Sequence, residues 1–158
     1  ATTDSYRYNN TSANCATDGR LYEWAAAMNA STDERDQGIC PEGWHIPSDC
    51  EWMYLENTLG MDVAEQDIIN LRSTGDVGSQ LSSDTNNGNN SSGFSGLLAG
   101  RRRATGTFNE RNSLAHFWTS TNTATTTATY RRLNASQTGV RRGNLNRSNA
   151  MSVRCLKD

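Results

Sequence analysis

Lysine is nearly missing from this chain of 158 residues: of fifteen basic residues, all but Lys157 are arginine. Merely solvated positive charge has no need of arginine, so the bias favours planar, hydrogen-bonded or stacked recognition. Proline is almost as scarce, with Pro41 and Pro47 falling in one short stretch. No run of eighteen apolar residues occurs, which excludes a helical membrane span. The first residues lack a charged segment followed by an apolar one, so any signal peptide is expected to have been removed or never to have been present. With two histidines, His45 and His116, and no CxxC pair, metal ligation by these residues is not expected.

What is abundant is Gly, Asn, Ser and Thr. The apolar share is 34% and the mean hydropathy −0.76, which favours a loop-rich fold with short strands over a helical bundle. The length suits one domain with one core. The net charge of −2 hides a division: residues 1–100 carry four Arg against fifteen acids, and 101–158 carry eleven basic residues against Glu110 and Asp158. Halves of opposite sign are expected to complement each other within one fold, with a basic face for acidic partners as the alternative.

Four cysteines, Cys15, Cys40, Cys50 and Cys155, allow three pairings. Cys40 with Cys155 and Cys15 with Cys50 is the preferred set, because the first would tie the C-terminal strand to the start of the central region. Disulfides imply an oxidising compartment, or a cell or virion surface. Free buried thiols in a cytosolic protein are the alternative.

Along the chain, Gly19 to Trp24 reads as a strand or turn leading into a short helix in Ala25–Ala30. Both prolines flank a Trp44-containing turn that neither a helix nor an inner strand would tolerate. Ser48-Asp49-Cys50-Glu51 is a capping box, so a helix is predicted to begin there, with Trp52, Leu55 and Leu59 as its buried stripe and Gly60 as its stop. A second, weaker helix is predicted over Val63 to Arg72. Ser79 to Ser92 is a long polar loop in which Asp84, Asn86, Asn87, Asn89 and Asn90 could offer oxygens to calcium, although no EF-hand spacing appears. Strand signals follow at Gly106 to Phe108, Phe117 to Thr121, Ala128 to Leu133, Gly139 to Arg142 and Met151 to Leu156.

Gly19-Arg20-Leu21-Tyr22, Cys40-Pro41-x-Gly43-Trp44-His45-x-Pro47-x-x-x-Glu51-Trp52, Gly93-Phe94-Ser95, Phe117-Trp118-x-Ser120-Thr121 and Ser152-Val153-Arg154-Cys155 resemble, in order over about 140 residues, the Fibrobacter succinogenes major paralogous domain. Such domains occur in bacterial surface proteins and lipoproteins. Their similarity to C-type lectin and formylglycine-generating-enzyme folds implies a single α+β domain over 1–158, with two helices and short, mostly antiparallel twisted sheets. Fold alone does not give function.

The chain also resembles the variable proteins of diversity-generating retroelements, which use the C-type lectin fold and randomise C-terminal residues by adenine-directed mutagenesis. Where the paralogous-domain pattern holds Tyr or Asn, this chain holds Thr129, Arg132, Asn134, Ala135, Arg141, Gly143 and Leu145. All these types, and many others, can be reached from AAC or AAT codons by changing adenines. Trp118, Ser120, Leu133, Gly139, Val140 and Val153 keep the character of a frame. With Thr119, Asn122 and Tyr130 added, these positions form the expected contact set in a variable segment at 117–150, with Tyr130, Arg132 and Arg141 as anchors.

The expected function is therefore a receptor- or adhesin-type module, displayed extracellularly on a cell or virion, that binds a protein on a host or neighbouring cell. A fixed glycan-binding or adhesive domain, with calcium in the loop at 84–90, is the alternative. An enzyme is not expected: formylglycine-generating enzymes use a reactive cysteine pair or copper, this chain has no such pair close in sequence, and no acid, base or nucleophile pattern surrounds its histidines. His45 is expected to be a hydrogen-bonded structural residue. Arg101 to Arg103 with Phe108 could meet a nucleic acid, but those arginines are expected to pair with the acidic first half.

Overall fold

A chain so rich in turn-forming residues breaks regular structure often, and the computed structural model, which describes residues 5–83 and 88–158, consists mostly of short elements. In chain order these are β1 (Ser5–Tyr6), α1 (Ser12–Asp18), β2 (Leu21–Glu23), α2 (Trp24–Ala27), β3 (Trp44–His45), α3 (Asp49–Thr58), α4 (Val63–Gln66), β4 (Asn70–Arg72) and α5 (Val77–Leu81). β5 (Arg101–Arg102), β6 (Phe108–Asn109), β7 (Leu114–Ala124), β8 (Thr127–Asn134), β9 (Gln137–Asn146), β10 (Ala150–Met151) and β11 (Leu156–Lys157) complete the fold. The strands form sheets of order β1-β2-β10-β5-β6, β11-β3 and β4-β9-β8-β7, and neighbouring strands pair antiparallel. The domain is α+β, as expected.

Helix α3 starts where the capping box predicts. The Ser48 hydroxyl accepts from the Glu51 N–H, and the Glu51 carboxylate accepts the Ser48 N–H. Trp52 is buried on the stripe, with Leu55 and Leu59 half-buried beside it.

Several expectations are corrected. Five α-helices are present among the described residues rather than two, and only α3 exceeds seven residues. The helix predicted over Val63 to Arg72 stops at Gln66. Its apolar residues never form one helical face: Val63, Ile68 and Ile69 are exposed, while Asn70–Arg72 turn instead into a strand paired with β9. The strand predicted over Met151 to Leu156 divides into β10 and β11, which serve different sheets. Cys40 and Cys155 form the predicted disulfide, but Cys15 and Cys50 are free thiols. They lie on separate helices, Cys15 on α1 and the exposed Cys50 on α3.

The long strands β7, β8 and β9 form a meander between two cores. Trp24, Met28, Ile46, Trp118, Tyr130 and Met151 pack together on one side, and Trp52, Val77, Leu81, Phe117, Leu133 and Val140 on the other. Helix α5 lies so close to β9 that a Cβ on Gly78 would sit 2.1 Å from the Gly139 carbonyl oxygen. Glycine is required there by close backbone approach, not by an unusual dihedral.

The charge halves meet inside the fold. The fully buried Arg131 on β8 bonds Asp49 at 2.5 Å and Glu56 at 2.7 Å, both on α3. Arg72 forms a two-pronged pair with the buried Glu56 at 2.7 and 2.6 Å, and Arg142 reaches Asp49 at 2.5 Å. Arg111–Asp18 and Arg102–Glu23 join the halves nearer the surface. Complementary charge thus acts as the fastening of α3 to the meander, where neither carboxylate is left without a cation.

Candidate functional site

Side chains alternate along a strand, so register decides which residues of the meander share a surface. The pairs His116–Arg132–Arg141 and Trp118–Tyr130–Gly143 cross β7, β8 and β9 in line, and Ala128–Leu145 and Leu114–Asn134 continue the same face. Of the expected contact residues, Tyr130, Arg132, Asn134, Arg141, Gly143 and Leu145 therefore lie on one face. Arg131, Leu133, Val140 and Arg142 point the other way, into the second core and the ionic network.

That face has a closed end and an open end. At the closed end Trp118 and Ala128 are fully buried against Trp24 and Met28, and Leu145 is half-buried beside them. Tyr130 stands at the margin, 7% exposed. Its ring lies over Gly143, where an added Cβ would meet the ring Cε1 at 2.9 Å. At the open end Arg132, Asn134 and Arg141 are half-buried.

Cations crowd the open end. Arg132 makes no ion pair among the described residues, and its buried Nε has no hydrogen-bond partner; the Nε of Arg141 is likewise unpaired, although its Nη1 donates to the Asn70 side chain at 2.7 Å. Burial, together with the nearby Arg141 and Arg101 guanidiniums, lowers the pKa of Arg132 despite opposing contributions from Tyr130 and Glu110. Beneath them His116 is buried, its Nε2 3.0 Å from Glu110 and its Nδ1 unpaired. Burial, then Arg101 and Arg132, push the His116 pKa well below its usual range, so the ring is neutral and donates from Nε2 to the carboxylate. Glu110 also receives Arg101 at 2.9 Å. Glu110 is thus paired with Arg101 and His116, while Arg132 and Arg141, half-buried at the open end, have no ion pair among the described residues.

The other expected contact residues lie apart from this surface. Thr119 is buried and its hydroxyl donates to the Thr129 carbonyl; Thr129 is buried in turn and donates to Asn144. Ala135 packs on the second core, and the exposed Asn122 donates to the Thr32 carbonyl. Sequence reasoning missed Glu110, His116 and Arg101 as members of the site. Cross-strand register brings His116 beside Arg132, and packing of the loop and of β5 brings Glu110 and Arg101, none of which the sequence displays.

His45 is buried with its two ring nitrogens bridging Asp158 at 2.6 Å and Glu51 at 3.0 Å, the hydrogen-bonded structural role expected of it. Of the Arg101 to Arg103 run, Arg102 reaches the acidic half at Glu23, whereas Arg101 pairs with Glu110 of its own half. Asp84, Asn86 and Asn87 of the proposed calcium loop lie outside the described residues. The Asn89 and Asn90 side-chain oxygens accept backbone N–H groups of Ser91 and Ser95. No cluster of three or more His, Cys, Asp or Glu suited to a metal occurs among the described residues, and no helix there is long and apolar enough to cross a membrane.

The sequence model of the Fibrobacter succinogenes major domain matches residues 1–157. Comparison with curated proteins and with solved structures gave no match.

Proposed function

The chain belongs to the Fibrobacter succinogenes major domain family, and from that premise we propose that it is a ligand-binding module presenting a variable surface on a C-type lectin-like fold, diversified by a retroelement to bind protein targets. The observation that carries the reading is the open end of this face, Arg132, Asn134 and Arg141, continued inward by Tyr130, Gly143 and Leu145, with the alternate residues of the same strands committed to the second core and the ionic network. Side chains can be exchanged freely only where the backbone is fixed by something else. Here the Arg131–Asp49–Arg142 contacts and the Cys40–Cys155 disulfide do the fixing. The disulfide fits a secreted or extracellular setting, and the module works at a cell or virion surface.

Two features refine the contact set. Arg132 and Arg141 are the anchors, and their uncompensated charge selects an acidic patch on the partner protein. Tyr130 and Gly143 vary as a coupled pair, because a larger residue at 143 requires a smaller one, or a turned ring, at 130.

The test is a pair of displayed libraries scored for protease resistance. One randomises Arg132, Asn134, Arg141 and Leu145; the other randomises Arg131, Leu133, Val140 and Arg142. The first should remain mostly folded and yield binders to protein targets, and the second should collapse. Equal loss of folding in both would refute the reading.

A further inference from the structure

A groove of about 550 Å³ runs between α3 and the segment Arg154–Leu156, and none of the contact residues described above lines it. The volume lies in the range of small-molecule sites. Its walls are Pro47, Trp52, Leu55, Phe94, Cys155 and Leu156, an apolar lining in an otherwise polar protein. The walls are firm: the Cys40–Cys155 disulfide holds one side, and the edge-on contact of Trp52 with Phe94 at 5.4 Å holds the floor.

Two polar groups of this lining stand out. Trp52 is 2% exposed and its indole N–H has no acceptor. Arg154 is half-buried over the Phe94 ring at 5.2 Å; it donates to the Ser95 carbonyl at 2.7 Å and has no ion pair among the described residues. Burial of this guanidinium disfavours its charged form. The one acid of the lining, Glu51, is already committed to Ser48, His45 and Arg35. Within apolar walls, the lining thus holds a cation with no carboxylate paired to it among the described residues and a buried N–H with no partner.

From this complementarity we infer that the groove binds a small molecule with an apolar body and a carboxylate, the chain lying along Leu55 and Leu156 and the carboxylate accepting from Arg154. This site is independent of the β8–β9 surface and of the reading given for it.

Decanoate and decanol serve as probes, titrated by calorimetry and by the indole N–H resonance of Trp52, which Trp52→Phe identifies. Decanoate should bind about tenfold more tightly than decanol and shift that resonance. Arg154→Gln should bring decanoate down to the affinity of decanol while leaving decanol binding within about twofold, with the fold checked by its circular dichroism. Trp52→Phe removes the unpaired N–H together with part of the ring that forms the floor, so it serves only to assign the resonance. Equal affinities for the two probes, binding of neither, or decanoate binding indifferent to Arg154→Gln would overturn the inference. So would a dimer in sedimentation that Leu156→Glu dissolves, since the occupant would then be a second copy of the chain.

Discussion

Arg131 and Arg132 are sequence neighbours of identical chemistry, and the fold gives them opposite roles. Arg131→Met removes the 2.5 Å bond to Asp49 and the 2.7 Å bond to Glu56 from a fully buried site, and Glu56 is itself 0% exposed. Arg72 still holds Glu56 and Arg142 still holds Asp49, so each carboxylate keeps one cation but loses its second. Breaking a buried pair outright costs about 3–5 kcal/mol, an upper bound here because each carboxylate keeps a cation, and at about 2–4 °C per kcal/mol for a domain of this size the melting temperature should fall by up to about 20 °C. Arg132→Met removes a side chain without an ion pair among the described residues and relieves its repulsion with Arg141 and Arg101, so its effect should stay within about 0.5 kcal/mol. Thermal and urea unfolding followed by circular dichroism measure both. Equal destabilisation by the two substitutions would refute the face assignment on which the site rests.

Reduction of the Cys40–Cys155 disulfide, or its replacement by alanines, opens a loop with a sequence separation of 115 and should cost about 4 kcal/mol in urea unfolding; an unchanged midpoint would show that the bond does not restrain the unfolded chain. Gly78→Ala should cost about 1–3 kcal/mol, because its Cβ meets a backbone oxygen of β9 rather than a side chain that can move away, and an unchanged melting temperature would contradict that packing. Acid should weaken the fold through Asp49. Burial alone would raise its pKa, but the Arg142 and Arg131 contacts outweigh burial and hold it below the ordinary 3.8. A depressed folded pKa gives stability that is complete above the ordinary value and is lost as pH falls through the folded one, so urea midpoints should decline below about pH 4. Asp49→Asn should flatten part of that decline, and an identical slope would rule Asp49 out.

The elements legible in the sequence are those set by local chemistry. Ser48 and Glu51 announce the start of α3, and the spacing of Trp52, Leu55 and Leu59 gives its buried face. The strand signals around Trp118, Leu133 and Val140 mark the meander correctly. Opposite charge in the two halves anticipates their pairing, but not that Arg131 and Glu56 would be fully buried. Glu56 sits four residues beyond Trp52, on the apolar stripe itself, and a carboxylate in that position was the available clue to a buried ion pair. What escaped the sequence depends on distant partners. The segment after Gln66 becomes a strand because β9 offers a free edge. Thr119 and Thr129 look like surface residues until β7 and β8 pair and bury their hydroxyls. The surplus of cations around Arg132 arises from cross-strand register and loop packing, which bring His116, Glu110 and Arg101 to it.

The most direct test of the central claim is to sequence the codons for residues 117–150 at this locus in many cells of the source population. The account predicts adenine-derived variation at 132, 134, 141 and 145, joint variation at 130 and 143, and constancy at Trp118, Arg131, Leu133, Val140, Arg142 and Cys155. An invariant segment, or variation falling as often on the inward-facing positions, would contradict it.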